Sequence, residues 1–306
     1  MNKMIARCVA MVRPKNFAFN VQTAENNAFQ NELENFTAEQ VQDIACLEFD
    51  NMVSMLKNKG IKVLVFQDKA GNTPDSIFPN NWFSTFTEDI VLYPMYTPNR
   101  RLERKPEIYK RLSNDLRKPL NDKLLSLEKK EGILEGTGSL VCDYTSKTAF
   151  AALSARTTDD ALDKFEEIAG YSSVRFEALG PDGNQIYHTN VMMTMGDTFC
   201  IIGLNSIADA HRNEVKTKLE SLGKDLIELT NDQIYNQFAG NMLQLQNNKG
   251  QKFLVMSKCA HASLTSEQKD TIENKHQNDI IAVPIHLIEK IGGGSARCMM
   301  AEIFYP

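Results

Sequence analysis

Short β-rich apolar runs recur along the whole chain, each only a few residues long and separated from the next by turns or helical stretches. IARCVAMV (5–12), IKVLVFQ (61–67), DIVLYPM (89–95), SLVCDY (139–144), TAFAAL (148–153), NVMMTMG (190–196), TFCIIGL (198–204), KFLVMS (252–257) and DIIAVPI (279–285) read as strands. Between Ala38 and Lys59, Val41, Ile44, Ala45, Leu47, Phe49, Met52 and Leu56 recur at roughly helical spacing. Further helices are expected over 104–117, 158–169, 206–222, 231–238 and 265–275. Gly196-Asp197 predicts a hairpin turn between two of the strands, and Thr145-Ser146 repeats the scheme. Hairpin, helix and strand recur without a sequence repeat, and no Gly/Ser or Pro linker divides residues 1–306. The expectation is one α/β domain built from repeated small units.

Charge and cysteine usage narrow the partners. Lys+Arg 34 against Asp+Glu 39 gives a net charge of −5 with both signs interspersed, so no basic footprint for nucleic acid appears. No apolar run approaches the roughly 20 residues that cross a bilayer, and Arg7 interrupts the N-terminal apolar stretch, which therefore reads as a strand rather than a leader. Six scattered cysteines without C-x-x-C or H-E-x-x-H spacing predict reduced thiols in a cytoplasm, no zinc site and no cofactor. A small molecule is the expected partner; oligomeric state is left open.

Four stretches fall at strand ends, where binding residues are displayed: FPNNWF (78–83), LEGTGS (134–139), YHTN (187–190) and GGGSARCM (292–299). Taken singly, each also reads as an ordinary turn. Together they supply a thiol (Cys298), an imidazole (His188) and a carboxylate to orient it (Glu135). A free thiol is only a few per cent thiolate at neutral pH, so it needs a neighbouring base or positive charge. Glycines beside the thiol let backbone approach a reacting carbon closely. Residue types and order alone therefore indicate a Cys/His hydrolase or transferase.

These residues resemble a known family. GGGSARCM is similar to the Gly-Gly-Gly-x-x-Arg-Cys-Met stretch of the arginine deiminase and dimethylarginine dimethylaminohydrolase superfamily, the guanidine-modifying enzymes of the pentein fold. LEGTGS and SARTT (154–158) add to the likeness, which runs from MVRPKNFAFN to IGGGSARCMMAEI and is nearest to the arginine-deiminase-related branch, citrulline-utilisation hydrolases or amidinotransferase-like proteins. The resemblance implies an α/β-propeller of five ββαβ-like units around a pseudo-fivefold axis, with the site at its centre. It implies that Cys298 attacks the central carbon of a guanidino or ureido group. His188 would then protonate the departing nitrogen and activate water, with Glu135 supporting the imidazole. Arg156 matches an arginine that grips a substrate α-carboxylate, Arg101 or Arg104 matches a second one, and Asn241 matches a polar position lining the site.

The sequence departs from the family pattern where acidic residues clamp a guanidinium. Asn80, Asn81 and Asn190 stand at those places, and an amide donates as well as accepts whereas a carboxylate only accepts. This tips the expected substrate slightly toward a neutral ureido group such as that of citrulline. The alternative is that the carboxylates come from elsewhere, Asp75 or Asp182. The expected activity is a cofactor-free hydrolase cleaving a C–N bond in an arginine-derived compound. Transfer of the amidino group to an amine is the alternative, and a non-catalytic amino-acid binder the reading from another class. Trp82 is expected to wall the pocket or the core, and TPNRRLERKPE (97–107) is a candidate lid.

Overall fold

Fifteen short strands gather into five sheets of three in the computed structural model, which describes residues 4–25, 27, 29–31 and 36–305. The outermost residues of the first and last apolar stretches, Met1–Lys3 and Pro306, lie outside it. Four sheets follow the chain. The first joins β3 (Phe83–Thr85), β4 (Ile90–Leu92) and β5 (Leu120–Asn121). The second joins β6 (Val141–Asp143), β7 (Thr148–Ala152) and β8 (Ser172–Phe176), and the third β9 (Met193–Met195), β10 (Phe199–Ile202) and β11 (Asp225–Glu228). The fourth holds β12 (Leu243–Gln246), β13 (Lys252–Ser257) and β14 (Asn278–Val283). In each, an antiparallel hairpin is followed by a helical crossover and a parallel third strand, the ββαβ unit.

The fifth sheet uses both ends of the chain. β15 (Ala301–Ile303) pairs antiparallel with β1 (Cys8–Arg13), and β1 pairs parallel with β2 (Lys62–Gln67). Between β1 and β2 runs α1 (Ala38–Asn58), opened by a Thr37/Gln40 capping box. Its buried residues Val41, Ala45, Phe49, Met52 and Leu56 recur every three or four positions, one stripe facing the sheet. Val41, Phe49, Met52 and Leu56 each contribute about 1.5–3 kcal/mol on burial. Leu47 falls off this stripe and is 70% exposed, against its place in the sequence pattern. The other crossovers are α2 (Pro106–Leu116), α3 (Asp159–Ala169) and α4 (Asp209–Ser221). Between β13 and β14 lie two short helices, Lys258–Ser263 and Ser266–Asp270, and a π-helical turn, Thr271–Lys275.

Buried hydroxyls and backbone groups join the units into a ring. Thr85 Oγ1 donates to Glu302 O at 2.9 Å and accepts from Phe304 N. Thr189 Oγ1 donates to Ser139 O at 2.6 Å, and Thr194 Oγ1 to Gly240 O at 2.7 Å. Gln246 N donates to Ala6 O at 3.0 Å, which brings the fourth sheet back to the one holding both chain ends. Glycine serves where neighbouring units touch backbone to backbone. A Cβ on Gly136 would meet Asn80 O at 2.2 Å, and one on Gly240 would meet Val191 O at 2.2 Å. Trp82 is 1% exposed, lies in the core with Phe83, and does not line the pocket described below.

Candidate active site

Each unit presents a loop or single helical turn immediately before its first strand, and these five segments converge. Phe78–Asn81 precedes β3, Glu135–Ser139 precedes β6, His188–Val191 precedes β9, Gly240–Met242 precedes β12, and Ser295–Met300 precedes β15. Asn81, Glu135, His188, Asn190, Asn241 and Cys298 therefore come from equivalent places in five units. Gly138 allows the close fit: a Cβ there would meet Asn81 Nδ2 at 2.3 Å and the His188 ring at 2.8 Å.

Cys298 is 5% exposed, at the end of a turn in which its N–H donates to Ser295 O at 3.0 Å. Asn241 Nδ2 lies 3.2 Å from Sγ and Asn190 Nδ2 lies 3.6 Å from it. Arg297 N–H donates to Asn241 Oδ1 at 3.0 Å, which fixes that amide with its NH2 toward Asn190 O and the sulfur. Burial pushes the thiol above its ordinary pKa. The turn, both asparagines and the Arg297 charge oppose it only in part, so the free site holds a thiol.

His188 Nε2 lies 2.8 Å from Glu135 Oε2, and both side chains are buried. Burial, helped by the Arg156 and Arg100 charges and opposed by Glu135, lowers the imidazole pKa to about 4. Burial alone would raise the Glu135 carboxyl. Arg156 at 3.5 Å, the His188 bond and Arg100 at 3.8 Å outweigh that and hold it well below the carboxylate range. An ionised Glu135 only accepts, so the proton of neutral His188 sits on Nε2 and Nδ1 keeps its lone pair. Tyr96 N donates to Glu135 Oε1 at 3.0 Å, which fixes the carboxylate.

The second wall carries a cluster that the motifs did not identify. Arg100 is buried and donates to Glu103 at 2.9 and 3.0 Å and to Asn81 Oδ1 at 3.0 Å. This corrects the expectation at Arg101, whose guanidinium donates to Met95 O and Tyr96 O, away from the pocket. Arg104 pairs with Glu128. On a helical turn, consecutive side chains point about 100° apart, so within Pro98–Arg101 only one of two adjacent arginines faces inward. Burial pushes Glu103 up to about 7 against the pull of Arg100. The short turn also carries Arg100 and Glu103 into this buried cluster, so this part of 97–107 forms wall rather than an open lid.

Asp75 lies in the same wall, 2% exposed, with Oδ2 accepting from Asn20 Nδ2 at 2.7 Å and 3.8 Å from Arg100 Nε. Its Oδ1 is buried without a hydrogen-bond partner among the described residues, and so is Asn190 Oδ1. Asp75 lines the pocket with Cys298, whereas Asn190 and Asn241 stand behind the sulfur and are not among its lining residues. Asp182 is on the surface, bonded to Asn184. Asn80 is fully buried but does not line the pocket, while its carbonyl accepts from Thr137 Oγ1. Asn81 does line it. Arg156 donates to Thr23 O at 3.3 Å, approaches Glu135 and lies 4.7 Å from the Tyr187 ring centroid. Tyr187 Oη donates to Gly293 O at 2.7 Å, and Tyr187 lines both this pocket, about 20 Å³ in volume, and a second cavity of about 1030 Å³.

Among the described residues, no helix is long and apolar enough to cross a membrane. A search of curated proteins finds no significant match. Among solved structures, the chain superposes on the N-terminal domain of ArgZ covalently bound to a reaction intermediate with a TM-score of 0.75. Identity is 14%, covering 98% of each chain. ArgZ is an arginine dihydrolase from Cyanobacteria, also solved as a cysteine-to-serine variant with substrate. Dimethylarginine dimethylaminohydrolase from Pseudomonas aeruginosa, complexed with citrulline, superposes with a TM-score of 0.67 at 12% identity, covering 98% of this chain and all of that one. At such identities these likenesses speak for the fold, a pentein of five small sheets. The family model for N,N dimethylarginine dimethylhydrolase, eukaryotic, matches residues 13–305, nearly the entire sequence. The chain belongs to that family of guanidine-modifying hydrolases.

Proposed function

We propose that this protein hydrolyses a C–N bond of the guanidino group of an arginine derivative through a covalent intermediate on Cys298. The observation that carries the choice of a guanidino group is Asp75, a buried carboxylate in the pocket wall with Oδ1 available. A cationic guanidinium needs an anionic acceptor when it leaves water, whereas a ureido group does not. The three asparagines favoured a neutral substrate on sequence grounds. Asp75 supplies the missing charge from a different stretch.

In this reading, the guanidinium lies with its N–H groups toward Asp75 Oδ1. Its positive charge beside Sγ favours the thiolate that burial disfavours. As sulfur attacks the central carbon, the thiol proton passes to His188, and Glu135 stabilises the imidazolium. His188 returns that proton to the departing amine as the C–N bond breaks, leaving a thiouronium on Cys298. Water loses a proton to His188 and attacks the same carbon, and the C–S bond breaks to release a ureido product and the thiol. Proton transfer of this kind contributes about 10²–10⁴-fold in rate. Arg156 is assigned to the substrate α-carboxylate, as a bidentate partner.

The pocket has room for about one water molecule. Substrate entry therefore requires its wall to move, and Tyr187 is the side chain it shares with the larger cavity. The test is mass spectrometry of products from arginine, methylarginines, citrulline, agmatine and succinylarginine, with and without glycine or ornithine. A ureido product from a guanidino substrate, lost in Cys298→Ala, is expected. Ornithine from citrulline would overturn the guanidino assignment, and amidino transfer to glycine or ornithine would overturn hydrolysis.

A further inference from the structure

We propose that Cys259, His286 and Glu289 form a binding site for a divalent transition-metal ion of the zinc class, on the wall of the cavity beside the candidate active site. The cysteine stands on the short helix Lys258–Ser263, and the other two on α5 (His286–Gly292). His286 and Glu289 are three residues apart, so they share one helix face. A ligand atom from each of the three lies within 4.8 Å of the other two. Cys259 Sγ is 3.8 Å from His286 Nδ1. Zn–S and Zn–N bonds of about 2.3 and 2.0 Å at a tetrahedral angle put the two donors about 3.5 Å apart, so the pair needs to close only slightly.

The donor set matches the chemistry of such an ion. Sulfur and imidazole select borderline-soft metals over calcium or magnesium, which take oxygen. Three protein ligands leave a fourth, open position for solvent or a small ligand. With Cys259 as thiolate and Glu289 ionised, the site carries a charge of two minus, which a divalent cation neutralises. Binding of the ion as a thiolate complex releases the Cys259 proton to solvent. Glu48, whose carboxylate accepts from Leu287 N and Ile288 N, adds negative charge nearby, and Lys290 opposes it. Cys259 is half-buried, His286 is exposed and Glu289 is 3% exposed, so the ion can enter from the cavity onto a fixed carboxylate.

The site adjoins the nucleophile loop. Glu289 Oε1 accepts from Ser295 Oγ at 2.6 Å, and Ser295 O accepts from Cys298 N at 3.0 Å. Drawing Glu289 toward a metal therefore perturbs the turn that holds Cys298. This consequence rests on the reading of Cys298 above, whereas the metal site itself does not.

The experiment removes the active-site thiol first. Chelator-treated Cys298→Ser protein is titrated with cobalt(II), and thiolate-to-cobalt charge transfer is followed in the near ultraviolet. A band saturating at about one cobalt per chain is expected. Adding Cys259→Ser should abolish it, and His286→Ala should weaken cobalt binding more than about tenfold. Circular dichroism and a thermal transition confirm that each variant folds. Should Cys259→Ser fail that check, the exposed His286→Ala carries the test. No band in the Cys298→Ser protein, a band that survives Cys259→Ser, or unchanged affinity in His286→Ala overturns the proposal.

Discussion

Replacing Asp75 with Asn tests the charge logic of the pocket at one atom. The substitution keeps the shape, and an amide oxygen still accepts from Asn20, so only the negative charge is lost. Arg100 keeps its two bonds to Glu103, and the desolvation that raises the Asp75 pKa disappears. Fold stability is therefore expected to change by less than about 1 kcal/mol. Binding is another matter. A hydrogen bond to a charged partner contributes about 1.5–3 kcal/mol. At about 1.4 kcal/mol per tenfold, that is a loss of about 12- to 150-fold in affinity for a cationic guanidino ligand. The assay is calorimetric titration of Cys298→Ala and Asp75→Asn/Cys298→Ala with a methylarginine and with citrulline. Citrulline, whose ureido group is neutral, should lose less than about threefold, within 1 kcal/mol. Equal losses for the two ligands would refute the assignment of Asp75 as the guanidinium partner.

Other predictions address the same machinery. His188 has a folded pKa near 4 against about 6.5 unfolded, so the unfolded chain binds the extra proton first as pH falls. Stability is thus fully present above pH 6.5 and declines toward pH 4, by up to about 3 kcal/mol from this group. Denaturant unfolding at a series of pH values should show a shallower decline in His188→Gln; an identical decline would contradict it. Gly136→Ala places a methyl 2.2 Å from Asn80 O at φ +48, whereas Gly170→Ala at φ +66 meets nothing within 4 Å. The second should cost about 1 kcal/mol and the first at least about twice that, with measurable loss of activity. Similar urea midpoints for the two variants would refute the close-packing role of Gly136.

Much of the ring is written in the sequence, and what is not has physical causes. The β9–β10 hairpin around Gly196-Asp197 is legible because both strands are apolar and the turn carries its own signal. β5, β8 and β11 are not, because each is a third strand at a sheet edge with polar or half-exposed residues, LN, SSVRF and DLIE. Among site residues, Glu135, His188 and Cys298 sit beside short strands in stretches that position and residue type single out, while Asn190 and Asn241 are marked only by the family resemblance. Asp75 and Arg100 carry no such mark. Asp75 lies in an ordinary turn sequence, and Arg100 differs from Arg101 only in the helical phase of a four-residue turn. Three-dimensional convergence also hides the Cys259–His286–Glu289 cluster, since its parts come from separate helices in a spacing that matches no metal motif.

The most direct test of the account is to trap the protein during turnover. Acid-quenched protein incubated with a methylarginine, then digested and sequenced by mass spectrometry, should carry a thiouronium adduct on Cys298. The adduct should be absent in Cys298→Ser and should form more slowly in His188→Gln, because His188 also protonates the departing amine. Product formation without any adduct on Cys298, or an adduct on a different cysteine, would contradict the central claim.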